Sequence, residues 1–179
     1  MPNWCSNNVH VTHKDPEKVR ELAKVLEDNG NVFEHLCPMP EELRQTTAPN
    51  TTESAALMTE KYGFADWYDW SVNNWGTKWD ADVQSWELDG DDIYISFYTA
   101  WAPPTALYDK LYAEGWEITG TYCEEGMCFV GEYVDGQENY YEYAEATAET
   151  ILEYIPEHLN EEYGIGDFME EYEDEEEMG

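Results

Sequence analysis

Residues 3–13 end in an alternation of hydrophobic and polar positions, which predicts the strand that starts the fold. Val9 and Val11 point to one face of that strand. A helix follows at once, because Asp15 suits its N-cap, Pro16 suits its first turn, and apolar residues recur at helical spacing behind them. The chain therefore opens with a strand and a helix joined by a short turn.

A hairpin is predicted over residues 80–101, with its turn at the Asp-Gly pair 89–90. We expect this hairpin to form the centre of the sheet. Two prolines at 103–104 then begin a second helix, which Gly115 closes. A helix thus again follows directly on a strand.

Three more strands follow this helix, the first from Trp116, the second over 127–134 and the third ending at Tyr143. An Asp-Gly pair at 135–136 predicts a hairpin between the last two. The order strand, helix, two strands, helix, strand is that of the split βαβ fold. We therefore predict an α+β, ferredoxin-like antiparallel sheet with extra strands towards its C-terminal end.

The connection before the hairpin holds a Trp-rich insertion at about 38–78, with a short helix predicted at 54–61. Four of the chain's eight tryptophans cluster here around Gly76, which offers a backbone conformation that other residues resist: Trp67, Trp70, Trp75 and Trp79. The cluster is either an aromatic plug over an open sheet or a pocket for stacking or cation binding. The candidate pocket residues are Asn73, Asn74, Trp75, Lys78, Asp80 and Trp101.

Negative charge is concentrated towards the C-terminal end. The chain has 41 acidic and 8 basic residues and a net charge of -33; 22 of the acidic residues follow Lys110, and no Lys or Arg does. We predict a ferredoxin-like domain over 1–143, an acidic helix packed on it over 144–163, and a flexible acidic tail over 164–179.

The acidic helix and tail form the candidate contact surface. B-form DNA carries about one charge per 1.7 Å of axis, and a carboxylate at every fourth residue of a helix recurs about every 6 Å, so such a ridge can imitate a row of phosphates. The alternatives are an acidic face kept for solubility and adaptation to high salt, which would spread the acidic residues evenly along the chain. The predicted contact residues are Glu142, Glu145, Glu149, Glu153, Glu157, Glu170, Glu171, Glu173 and Asp174.

Four phrases of the sequence occur in a recognisable order: Met-Pro-Asn-Trp-Cys-Ser-Asn at 1–7, Asn-Trp-Gly-Thr-Lys-Trp-Asp at 74–80, Thr-Ala-Trp-Ala-Pro-Pro at 99–104, and Glu-Glu-Gly at 124–126 with Phe129 and Gly131. Together they resemble the YubB-like ferredoxin-fold family of small phage- and plasmid-borne proteins, over about residues 1–135. The resemblance implies a ferredoxin-like fold and a mobile-element origin. That family has no established activity, so the resemblance implies no catalytic residues.

The spacing of the reactive residues does not favour catalysis or a metal site. The soft metal ligands are Cys5, His10, His13, His35, Cys37, Cys123 and Cys128, without a Cys-x2-Cys or His-x3-His pair. The sequence also has no nucleophile or phosphate-loop motif. The candidates for a divalent cation near the end of the sheet are Asp80, Asp82, Glu124 and Glu125. We predict no metal, no cofactor and no catalytic residue.

The net charge of -33 repels nucleic acid and anionic membranes and attracts basic proteins. Four cysteines without a signal peptide indicate reduced thiols in the cytoplasm of a bacterial host. We predict a phage-type accessory protein whose acidic surface occupies the basic groove of a host nucleic-acid enzyme, such as a defence nuclease, and inhibits it. The alternatives are a small-molecule-binding protein or enzyme that uses the Trp-rich pocket, and a structural or assembly protein, for instance a homodimer.

Overall fold

A six-stranded antiparallel sheet organises the chain in the computed structural model, which describes residues 2–178, the side chains at 176 and 177 excepted. The strands are β1 Trp4–His13, β2 Asp82–Asp89, β3 Asp92–Ala100, β4 Trp116–Glu124, β5 Phe129–Val134 and β6 Gln137–Glu142. They lie in the order β2-β3-β1-β4-β5-β6, and every neighbouring pair is antiparallel.

Helices occupy the connections between these strands and follow the last one. They are α1 Pro16–Glu27, α2 Val32–Leu36, α3 Glu41–Arg44, α4 Ser54–Tyr62, α5 Trp67–Asn74, α6 Thr105–Ala113, α7 Ile151–Tyr154, α8 Glu157–Tyr163 and α9 Ile165–Met178. The series β1-α1-β2-β3-α6-β4, with its strands in the spatial order β2-β3-β1-β4, is the split βαβ arrangement. The predicted α+β, ferredoxin-like fold is confirmed.

The main core lies between one face of the sheet, here named the first face, and the helices that cover it. Val9 of β1, Ile93 of β3 and Ile118 of β4 project into one buried cluster with residues of α1 and α6. Trp70 and Trp75 of the insertion join the same cluster. Each fully buried aliphatic side chain stabilises the fold by about 1.5–3 kcal/mol, so this cluster holds the insertion on the sheet.

The hairpin β2–β3 lies at one side of the sheet, so its predicted central position is wrong. The central strands are β1 and β4, because α6 carries the chain across to the far side of β1. β2 is an edge strand, and Asp82, Glu87 and Asp89 on it are exposed. Charged side chains on an edge discourage pairing with another chain.

The second face of the sheet is half covered. Over β4 and β5, the side chains of Cys123 and Val130 pack against a cluster formed by the last helices. The apolar members that these helices and the residue between α7 and α8 supply are Ile151, Ile155, Leu159 and Ile165. The part of this face formed by β1, β2 and β3 carries exposed Trp4, Tyr94 and Tyr98.

The predicted single helix over 144–163 is wrong. Residues 144–150 form turns, in which the Thr150 hydroxyl accepts from the amide of Thr147 at 2.9 Å. Ile155 is extended, as expected directly before Pro156, and this separates α7 from α8. The helix predicted from apolar residues at helical spacing is therefore interrupted twice, first by a hydroxyl group that accepts from a nearby amide and then by a proline.

The predicted flexible tail over 164–179 differs from the structure, in which α9 occupies Ile165–Met178. Gly164 ends α8 in the left-handed conformation and allows the chain to turn into α9. Ile165 is buried at the start of α9, and an oxygen of Glu173 accepts from the amide of Ala148 at 3.1 Å. These contacts tie the helix to the preceding segment.

Candidate functional site

The segment 143–178, here named the C-terminal unit, turns an apolar side to the sheet and an acidic side to solvent. The predicted contact residues on it and on the end of β6 are all exposed: Glu142, Glu145, Glu149, Glu153, Glu157, Glu170, Glu171, Glu173 and Asp174. In the described part of the chain, none of them forms an ion pair with Lys or Arg. Their charge is therefore available to a partner.

The structure distributes these carboxylates over several elements. Glu145 and Glu149 lie on the turn segment, Glu153 on α7 and Glu157 at the start of α8. One long helix would carry the carboxylates as a continuous ridge. The described residues contain no such ridge, because the turns at 144–150 and Pro156 interrupt the helix. The densest group lies on α9, with Glu170, Glu171, Glu173 and Asp174.

Two aromatic residues of α9, which were not among the predicted contact residues, are also exposed. Phe168 and Tyr172 are 51% and 59% accessible, and their ring centres lie 6.2 Å apart. Met169 on the adjoining face packs against the core of the C-terminal unit. The spacing of Phe168 and Tyr172, four residues apart, was the available signal, because such a pair shares one helix face.

The Trp-rich insertion is mainly a structural plug. Trp75 is buried and packs edge-to-face on Trp70, with 5.4 Å between their ring centres. Its indole N–H donates to the carbonyl of Cys37 at 2.9 Å. Gly76, with φ of 91°, confirms the predicted special backbone conformation, and an added Cβ would lie 3.2 Å from the carbonyl oxygen of Pro103.

The predicted pocket residues are only partly brought together. Trp75, Lys78 and Asp80 border one open cleft of about 310 Å³, which Trp101 does not line. The Lys78 ammonium lies 4.4 Å from the ring centre of Trp79. The side-chain amides of Asn73 and Asn74 donate to backbone carbonyls within α5.

Asp80 is engaged in holding the insertion. Its carboxylate accepts from the amides of Phe33, Glu34 and Ala81 at 2.8–2.9 Å, which fixes the first turn of α2. Burial raises the pKa of Asp80, and these three N–H groups oppose that rise by stabilising the charged form. The residue therefore has a structural role that accounts for its polar contacts.

The cysteines are free and mostly poor metal ligands. Burial raises the pKa of the Cys5 thiol far above its ordinary value and that of Cys123 to about 12. Within residues 2–178 as described, no three or more His, Cys, Asp or Glu side chains gather as a metal site. Of the proposed cation ligands, Asp82, Glu124 and Glu125 line one cleft and Asp80 lines another.

Comparisons with known proteins find a structural likeness but no family. No family model matches the chain, and no curated protein matches it. The crystal structure of protein api92 from Yersinia pseudotuberculosis, with family-model DUF1281, is similar at 12% identity and a TM-score of 0.41, covering 80% of this chain and 99% of that chain. No helix in the described residues has the length and apolar character to cross a membrane.

Proposed function

We propose that this protein acts by binding, and that its C-terminal unit occupies the basic nucleic-acid-binding groove of a host protein and inhibits it. The observation that carries the proposal is the set of exposed carboxylates on α9 and the segments beside it, which form no ion pair with Lys or Arg in the described chain. When this surface binds a basic groove, Lys and Arg side chains of the partner take the place of water around the carboxylates.

The charge density of α9 supports this role. The helix has 14 residues and spans about 21 Å at a rise of 1.5 Å per residue. Eight acidic residues fall within 165–178, or about one charge per 2.6 Å, compared with about 1.7 Å for duplex DNA and 3.4 Å for one strand. The helix is therefore at least as densely charged as a single strand of DNA.

Phe168 and Tyr172 add an apolar contact that a purely electrostatic surface would lack. Exposed aromatic side chains are common among the residues that contribute most to interfaces. The charges speed the encounter with the partner, and salt at physiological ionic strength screens them over about 8 Å. The apolar contact of the aromatic pair is not screened by salt. The resemblance to the YubB-like family supports a mobile-element origin and, with it, a host protein as partner.

The experiment compares two variants with the same loss of charge. One replaces Glu170, Glu171 and Glu173 by Gln and Asp174 by Asn on α9. The control replaces by Gln four exposed glutamates on distant helices and loops, which form no ion pair among the residues that the structure describes: Glu21, Glu27, Glu53 and Glu60. Each immobilised protein is exposed to bacterial lysate at low and high salt, and the bound proteins are identified by mass spectrometry and challenged with duplex DNA.

We expect the wild-type protein and the control to retain basic nucleic-acid-binding proteins that duplex DNA displaces. The α9 variant should lose most of this binding, and high salt should weaken it for all three. Equal retention by the two variants would show that only net charge matters. Retention that duplex DNA does not displace would refute competition for a nucleic-acid groove.

A further inference from the structure

The uncovered half of the sheet's second face carries a cleft of about 760 Å³ that the proposed function does not use. Its floor follows the register of four strands, because Asp82 pairs with Tyr98, Tyr98 with Ser6, and Ser6 with Cys123. Residues directly opposite in a sheet point to the same side. These four side chains therefore form a row across β2, β3, β1 and β4.

Aromatic side chains provide flat apolar surfaces in this cleft. Trp4 and Tyr98 lie on its floor and are 45% and 39% exposed. Tyr163 of α8 forms part of its wall, and its hydroxyl lies 3.0 Å from that of Thr121. The C-terminal unit thus shapes one side of the cleft by packing over β4.

The charged groups of the lining are all acidic. Asp82 lies at the β2 side, and Glu124 and Glu125 lie at the β4 side; the lining contains no Lys, Arg or His. Glu124 is only 2% exposed, and its carboxylate accepts from the amides of Gly126 at 2.8 Å and Met127 at 2.9 Å. The turn therefore fixes this buried carboxylate without a cation.

The two acidic ends are well separated. Neighbouring strands lie about 4.8 Å apart, so the three steps from β2 to β4 span about 14 Å. Tyr98 and Trp4 lie on the strands between them. A ligand that matches this cleft carries positive charge at both ends and an apolar chain in the middle.

We propose that the cleft binds a linear aliphatic polyamine. One terminal ammonium contacts Asp82, the other contacts Glu125 beside the fixed Glu124, and the methylene chain lies on Trp4 and Tyr98. An ammonium group near an aromatic face gains a further cation–π attraction. A single metal ion is too small to join carboxylates carried by β2 and β4, because the backbones of these strands lie about 14 Å apart with two strands between them. A nucleic acid would meet three carboxylates and no basic residue in the described lining.

The test separates the span of the ligand from its charge. Butane-diamine and decane-diamine carry the same charge, and only the longer one reaches from β2 to β4. We expect decane-diamine to bind about 5-fold more tightly, the upper value for one added exposed ion pair. Acetylating one end of decane-diamine should remove this gain. Calorimetry gives the affinities, and the indole N–H signals in NMR spectra show which tryptophans respond.

Variants locate the site. Asp82→Asn with Glu125→Gln should weaken decane-diamine binding about 4- to 25-fold, from two exposed contacts of about 2- to 5-fold each. Trp4→Leu should weaken it about 2- to 5-fold, because about one methylene group of the ligand loses its apolar contact, and should remove the responding indole signal. The matched control, Glu21→Gln with Glu27→Gln on α1, removes the same charge outside both proposed surfaces and should leave the affinity within 2-fold. Circular dichroism confirms that each variant is folded.

Two results would overturn the proposal. If both diamines bind equally and the two double variants weaken binding alike, the amines respond only to the overall negative charge. If decane-diamine binds more tightly but its acetylated form does so too, the gain comes from hydrophobic contact at one end and not from a two-ended site.

Discussion

Leu159 tests whether the C-terminal unit is packed on the sheet or is the loose acidic extension that composition alone favours. Its side chain is fully buried and belongs to the cluster that joins the unit to Val130 of β5. Leu→Ala changes in cores cost about 2–5 kcal/mol, depending on how far the surroundings collapse. This cluster is small and bordered by half-buried residues such as Met169, so we expect the lower half of that range, about 2–3 kcal/mol.

Leu152→Ala is the matched control, because Leu152 lies on α7 and is 56% exposed. It should cost no more than about 0.5 kcal/mol. The free energy of unfolding from urea titration measures both variants, and amide hydrogen exchange shows where protection is lost. For Leu159→Ala, protection should fall first over 151–178 and remain on β1. Equal costs for the two variants, or an unchanged exchange pattern, would mean that the unit is not packed as described.

Three further predictions concern the insertion and the thiols. Asp80→Asn should destabilise the fold by about 1–2 kcal/mol in urea titration, because its amide can no longer accept at both oxygens from Phe33 and its neighbours; an unchanged midpoint would contradict this. Gly76→Ala should cost about 1–3 kcal/mol by the same assay, since its positive φ strains any side chain there. In the folded protein, Cys123 should react with iodoacetamide at pH 8 much more slowly than half-buried Cys128, because burial raises the pKa of Cys123 to about 12 and leaves almost no thiolate. Mass spectrometry of the labelled peptides gives the order of reaction. Comparable rates would show that Cys123 is not buried as described.

Signals between residues close in sequence predicted the first strand, the first helix and the turns of the sheet. The Asp15 carboxylate accepts from the amide of Glu17 at 3.0 Å, as its N-cap position implied. The ferredoxin-like order of elements then constrained the topology, because few arrangements bury both helices on one face. The hairpin was misplaced because strand order within a sheet is set by the crossover through α6, which periodicity does not reveal.

The C-terminal unit was harder to predict because two patterns competed in the same residues. Apolar residues up to Leu159 recur at helical spacing, but the Thr147–Thr150 turn and Pro156 interrupt the helix. The open cleft could not be predicted locally at all. Asp82 and Ser6 are far apart in sequence, and only the strand register brings them into one row.

The two proposed binding surfaces share a scaffold but not their contact residues. Tyr163 borders the cleft, while none of the α9 carboxylates that the structure describes lies in its lining. Changes at Asp82 should therefore leave protein binding intact, and changes on α9 should leave diamine binding intact. Leu159→Ala is different, because it loosens the packing that holds Tyr163 beside β4 and also positions α9. A loss of both activities in that variant alone would show that the apolar cluster under α7 and α8 supports both surfaces.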